Sequence, residues 1–505
     1  MPPRRPLVPP LPPLDEGLAP GRIPTRAIAG FVLAAATPTV VVAGLVPTGI
    51  AVTGGNGFPA TFVLIAAVLV LFAVPYLAAA RRFPPAEASG AFYTIIRRGL
   101  GRITGVGAGW VAVGAYLALG LGLYGLIGSI AAPLIADLTG VTVAWQVIAV
   151  PAVVITGVLG VCGITASTRI LTVLVALEIA MILTVGTANW AHPSSEGAGQ
   201  AAASLVDPQV VFGSVAVTAA RLALGVLGYT GTELTVIHSL TARDRHRGVI
   251  HATYAALAIL TAVYILGSSS LTATLGPAGV AAAAAADPGG LFVGTAHTNL
   301  GATAALIVRM LFVTSLMAGM ISFHTATSRY AFFLGRDRTA PAILGRPGRR
   351  YGEPVTASLL QTTLALITIL LVSLLHADPV LSLFYIGGTA GAVGALILFA
   401  LTAIAATRIF LRDRAGSRPW LLSVSLAASV VLCVLVATVL LQLGTLLGTP
   451  PGSPLPTLVR LTYAGIFTAG CGWAWWLRAR HPHTYRDIAT STNHHQHQHP
   501  REHGL

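Results

Sequence analysis

The stretch that decides the reading is residues 211–240, VFGSVAVTAARLALGVLGYTGTELTVIHSL. It is long enough to cross a bilayer, whose hydrocarbon core takes about 20 mainly apolar residues at 1.5 Å each. Its middle is nevertheless written to break a helix. Gly225, Gly228 and Gly231 fall around Tyr229 and Thr230, and an ionisable Glu233 follows. Each glycine costs a helix interior roughly 1 kcal/mol, so three together favour unwinding. Unwound backbone at membrane depth is tolerated only where protein buries it or it lines a water-filled cavity. The stretch reads as a membrane segment that carries a binding site.

Composition agrees. Of 505 residues, 55% are hydrophobic and only 9% charged, which places the chain among polytopic membrane proteins. Apolar runs give twelve spans: 28–52, 58–80, 104–131, 144–163, 168–190, 211–240, 251–275, 301–334, 354–376, 379–407, 419–447 and 457–477. The net charge of +14 would suggest nucleic acid in a soluble chain, but its distribution excludes that partner here. All 30 basic residues are Arg, and 27 lie in the N-terminal segment, the even-numbered connections or the C-terminal tail. The other three, Arg221, Arg309 and Arg460, fall within spans. By the positive-inside rule both termini are cytoplasmic, which requires an even number of spans. The expected location is the cell membrane, multi-pass.

Residues 1–26 read as a disordered Pro-rich cytoplasmic tail and 479–505 as a His-rich one. Cys162, Cys433 and Cys471 sit in apolar runs, so neither a disulfide framework nor a metal site is expected. No nucleotide loop, zinc motif or Ser/His/Asp arrangement is present; the chain is read as a non-enzyme without cofactors.

The first span is also interrupted, at Pro38, Gly44 and Pro47. Pro38 should leave the carbonyls of Ala34 and Ala35 without helical partners near mid-depth. Corresponding interruptions in spans one and six point to inverted repeats with a midplane site between them. The repeats would be residues 27–190 and 211–407, with 419–478 forming two peripheral helices. Half-helices starting after Pro38 and after Thr232 present N–H groups suited to a carboxylate. Those ending near Ala36 and Gly228 present carbonyls suited to an ammonium. A zwitterionic amino acid meets both needs, as do other zwitterions. The candidate substrate residues are Ala35, Ala36, Thr37, Pro38, Gly228, Tyr229, Thr230, Gly231 and Thr232. Tyr116 and Tyr385 are candidates for lining or gating the pocket.

Three motifs carry a family resemblance. Gly90-Ala91-Phe92-Tyr93 followed by Arg97-Arg98-Gly99-Leu100-Gly101 lies between spans two and three. Tyr229-Thr230-Gly231-Thr232-Glu233 lies in span six, and Ser328-Arg329-Tyr330 with Leu334-Gly335-Arg336-Asp337 and Pro341 follows span eight. In order, spacing and span number the chain resembles the amino acid–polyamine–organocation (APC) superfamily of permeases over residues 25–480. The resemblance implies a leucine-transporter-type fold and secondary active transport of amino acids or related amines by alternating access. It further implies H+ or Na+ coupling or exchange of one substrate for another, and a short helical lid around 281–286. The chain departs from the family where a glycine-rich run in span one is replaced by Ala35-Ala36-Thr37-Pro38. A second departure puts His238-Ser239-Leu240-Thr241 where relatives carry acids. A transporter-like amino acid sensor is the alternative from another class, and a monomer or homodimer is expected.

Ionisable residues inside spans are costly and default to functional hypotheses. Glu178 lies nine residues past Arg169, about 13–14 Å along a helix and so at bilayer mid-depth. Proton-coupled relatives carry a Lys at the equivalent position. Glu178 carries the coupled proton, helps ligate a cation together with Ser322, or is a structural partner of a neighbouring Arg or hydroxyl. Glu233 is expected to gate or to link transport to protonation. Arg221 and Arg309 pair with carboxylates or line the outer vestibule. His238, His251 and His324 are read as structural.

Overall fold

The computed structural model describes residues 24–83, 90–162, 168–238, 247–348, 352–413 and 418–488. The Pro-rich tail before residue 24, the His-rich tail from 489, and Ser239, Leu240 and Thr241 lie outside the described residues. Everything described is helix, turn or coil, with no strand among the described residues. Among the described residues, eleven helices are long and apolar enough to cross a membrane: Ile28–Thr53, Phe58–Ala80, Arg102–Thr139, Trp145–Cys162, Leu171–Ala191, Val215–Val236, Arg247–Ala286, Ala302–Arg336, Val355–Leu374, Val380–Arg412 and Pro419–Leu441. They are called the first to eleventh spans below. The chain is an all-α polytopic membrane protein. Leu455–Arg480 stands where the twelfth span was expected and is 26 residues long. Arg460, Arg478 and Arg480, with its Gly, Trp and Tyr residues, leave it less apolar than the eleven.

The third span is the central post. At 38 residues it is about 57 Å long, and it packs against the fourth, eighth and tenth spans and the Leu455–Arg480 helix. Small residues let it do so. Positions for Cβ atoms on Gly125 and Gly107 would fall 2.4 Å from Pro379 O and 2.8 Å from Phe467 O. Close backbone approach through small residues is how helices associate where lipid offers no hydrophobic driving force.

The seventh span kinks where the sequence expected it to end. Gly276 leaves helical geometry at φ 73°, and Pro277 starts the helical segment that runs to Ala286, followed by a separate helix Leu291–Leu300. The sixth span begins at Val215, four residues later than the apolar run suggests. Gly213 turns at φ 54°, and Ser214 caps the new helix by accepting from Val217 N–H at 3.2 Å.

Two of the family-like motifs, 240 residues apart, meet in space. Tyr93 and Arg97 lie on the short helix Ala91–Leu100 between spans two and three. The Tyr93 hydroxyl donates to Asp337 Oδ2 at 2.5 Å, and Arg97 Nη1 donates to the same oxygen at 2.9 Å. Both charged side chains are almost fully buried, so removing either breaks a buried charge pair, a strongly destabilising change. The helix itself lies on the tenth span. A Cβ on Gly99 would sit 2.4 Å from Ala405 O. Gly99→Ala should therefore overpack this contact and cost about 1–3 kcal/mol, measured as a lower unfolding temperature of the detergent-purified protein.

Candidate functional site

The first span loses its helix after Ala35, because Thr37 turns through φ 47° and ψ 65° before Pro38 opens the second half. A left-handed β-branched residue is a conformational outlier, whereas proline suits the first position of a helix. The α-helix of the sixth span stops at Tyr229. Thr230 is extended at φ −61° and ψ 130°, and Gly231 sits at φ 113°, a region open to glycine. The two breaks touch. A Cβ on Gly231 would lie 2.9 Å from the carbonyl carbon and oxygen of Ala35.

Backbone freed by a break costs several kcal/mol in hydrocarbon unless something hydrogen-bonds it. Here the chain supplies its own partners. In the first span, Thr37 N–H returns to Ala34 O at 3.1 Å, so that carbonyl is not left without a partner as the sequence predicted. At the start of the second half-helix, Thr39 N–H and its hydroxyl both donate to Glu178 Oε2, at 3.4 and 3.1 Å. Glu178 reaches across from the fifth span and is 1% exposed. Its carboxylate meets the partial positive charge of a helix N-terminus.

At the sixth-span break Gly231 N–H donates to Glu233 Oε2 at 2.9 Å. The Tyr116 hydroxyl of the third span donates to Glu233 Oε1, and the Tyr76 hydroxyl of the second donates to the main-chain oxygen of Glu233 at 3.1 Å. Tyr116 in turn stacks on Tyr330 of the eighth span, with centroids 5.5 Å apart and planes 11° from parallel. Glu233 is thus buried among tyrosines.

The carbonyl ends of both breaks converge on one residue. Tyr264, in the seventh span, places its hydroxyl 2.8 Å from Gly228 O and 3.2 Å from Ala36 O. These are the carbonyls that the sequence assigned to a substrate ammonium. They are turned toward the seventh span and already hydrogen-bonded.

Beside the paired breaks lies a narrow cavity with about 30 Å³ of free volume. It is walled by the first, third, sixth, eighth and tenth spans. Thr37 and Thr230 are its polar side chains; Val40, Leu45, Leu119, Leu123, Phe323 and Phe384 make most of the rest. Helix breaks that pair across a pocket are the architecture of secondary transporters, and here comparison with known families agrees. A family model for amino acid permeases matches residues 30–471. The chain belongs to the amino acid permease family. That family lies within the APC superfamily, and membership implies amino acid transport through a multi-pass membrane protein, a transporter rather than an enzyme. No curated protein matches the chain.

Within the permease, the other candidates are distributed unevenly. Tyr229 does not line the cavity. Its hydroxyl donates to Phe62 O at 3.1 Å and lies 2.8 Å from Thr261 Oγ1, on the far side of the sixth span. The Tyr385 hydroxyl donates to Leu446 O at 2.5 Å, leaving Phe384 beside it to face the cavity. Ser322 donates one turn back to Ala318 O, and the eighth-span hydroxyl beside Glu178 is that of Ser315. Thr232 donates to Tyr229 O at 2.9 Å, closing the turn.

Arg221 meets carbonyl oxygens instead of a carboxylate: those of Val210, Val211 and Gly55, at 2.8, 3.1 and 3.1 Å. It ties the end of the first span to the approach of the sixth. Arg309 pairs with Asp137 at the surface. His324 lies against Ser358 at 2.7 Å, and His251 is exposed. The side chain of His238 lies outside the described residues.

The sequence missed Tyr264, Tyr76 and Thr39. A tyrosine or threonine inside an apolar run signals only that some partner exists. Tyr264→Phe should leave two buried carbonyls without their donor, at about 1–3 kcal/mol, read as a lower unfolding temperature. Gly231→Ala should add at least about 1–2 kcal/mol of backbone strain and lower the yield of folded protein on gel filtration.

Proposed function

We propose that this permease carries neutral amino acids with apolar side chains by alternating access, driven by an H+ or Na+ gradient. The observation that carries the reading is the contact of two broken helices beside a cavity whose walls are apolar except for Thr37 and Thr230. The substrate's charged groups meet the backbone at Ala35, Ala36, Thr37 and Pro38 on one side and at Gly228, Thr230, Gly231 and Thr232 on the other. Its side chain lies against Val40, Leu123, Phe323 and Phe384. With about 30 Å³ free, these walls must part to admit it.

The breaks are capped by the chain's own groups, so binding is an exchange of partners. A substrate carboxylate competes with Glu233 for Gly231 N–H, and an ammonium competes with the Tyr264 hydroxyl for Gly228 O. A proton on Glu233 cancels the charge that Gly231 N–H and Tyr116 stabilise, releasing that amide to the substrate. In this way a proton and a substrate enter together. Glu178 acts in parallel on the first span, since it holds Thr39 and with it the second half-helix.

The moving body comprises spans one, two, six and seven, and the frame comprises spans three, four, five, eight, nine and ten. The two sets draw on inverted repeats at 27–190 and 211–407, with both termini cytoplasmic.

Reconstitution into liposomes tests this. Uptake of radiolabelled leucine or phenylalanine should follow an imposed proton or sodium gradient and exceed that of lysine or aspartate by tenfold or more. Glu233→Gln should fold and lose the gradient dependence; unaltered pH-dependent uptake would remove its assigned role. For Glu178→Gln, unchanged gradient dependence would leave helix capping as its only task. Binding without any uptake would mark a transporter-like sensor.

A further inference from the structure

A second cavity, of about 560 Å³, opens on the flank of the protein, far from the broken helices in sequence and unused by the transport reading. Its walls are Trp110 of the third span, Ile466, Ala469 and Trp473 of the Leu455–Arg480 helix, and Ala340 and Pro341 from the turn after the eighth span. The one hydroxyl there, of Thr339, is turned inward to Leu334 O at 3.0 Å. Trp473 is 45% exposed and stacks on Trp476, with ring centroids 4.9 Å apart.

The groove has a polarity along its length. Ile466, Ala469 and Trp473 share one helix face. Seven residues beyond Trp473, about 10 Å along the same face, stands Arg480, which is exposed. Across the groove, the turn that contributes Ala340 and Pro341 also carries the exposed Arg338. The acid next to Arg338, Asp337, is bonded inward to Tyr93 and Arg97. One end of the groove is therefore cationic from two walls, and the remainder is apolar and aromatic. Exposed tryptophans beside arginines are the signature of a headgroup boundary, and basic pockets there select anionic headgroups.

We propose that this groove is a binding site for an anionic phospholipid, with an acyl chain along Trp110, Ile466 and Trp473 and the phosphate between Arg338 and Arg480. A membrane-facing groove without polar walls is filled by hydrocarbon. Charge at its mouth then selects among the lipids able to supply that hydrocarbon. None of its walls borders the cavity beside the broken helices.

Native mass spectrometry of the detergent-purified full chain, offered equal phosphatidylglycerol and phosphatidylcholine, tests the assignment. The wild type should retain the anionic lipid at least fivefold over the zwitterionic one. The surface substitutions Arg338→Gln and Arg480→Gln together should erase that preference. Arg478→Gln, which removes the same charge about 200° around the helix from Arg480, should preserve it. Ala469→Trp, which fills the groove, should reduce retention of both lipids, with folding of each variant checked by circular dichroism and gel filtration. Equal retention of the two lipids by the wild type, or a preference that survives in the double variant, would overturn the proposal. So would a dimer that Ala469→Trp abolishes while lipid retention stays unchanged, because the occupant would then be a second copy of the chain.

Discussion

Hydrocarbon forms no hydrogen bonds, so a helix broken inside a membrane must bring partners for the backbone it frees. This chain brings three. Glu178 caps the second half of the first span through Thr39, Glu233 holds the Gly231 amide, and Tyr264 serves the carbonyls of Ala36 and Gly228. The caps come from the fifth, sixth and seventh spans, so the breaks are stable only while those spans keep their places. The central geometry thus joins one cap local to the sixth span with two that only the assembled bundle supplies.

The same dependence explains the distant motifs. Asp337, just beyond the eighth span, receives hydrogen bonds from Tyr93 and Arg97 on the helix between spans two and three. Gly99 lets that helix rest on the backbone of the tenth span. The segment between the second and third spans is thus fastened to two others. Tyr116 then reaches from the third span to Glu233, and its ring stacks on Tyr330 of the eighth. The post that supports the fold also touches the buried acid at the sixth-span break.

Much of the helical architecture was legible because bilayer thickness sets the length of an apolar run, a strong one-dimensional signal. The breaks were legible too: Pro38 and Gly231 stand where the helices fail. Partners were not, since hydrogen bonds to Tyr264 join residues 36 and 228 positions away. Nor was direction around a helix. Tyr229 sits at the break yet turns to Phe62 and Thr261, and Tyr385 yields the cavity to Phe384. The late start of the sixth span followed from Gly213 and Ser214, a local cap hidden within an apolar run. The twelfth span was expected from the apolar run 457–477, with arginine parity in agreement; its helix is present but less apolar than the other eleven.

Tyr264 carries one hydroxyl hydrogen and stands before two acceptors, one on each broken helix. It donates well to one of them at a time. While the helices stay in contact the hydrogen is common property, and neither carbonyl is abandoned. Pulling them apart would leave one of these buried carbonyls without that donor, a cost that fastens the first and sixth spans to the seventh as a single unit.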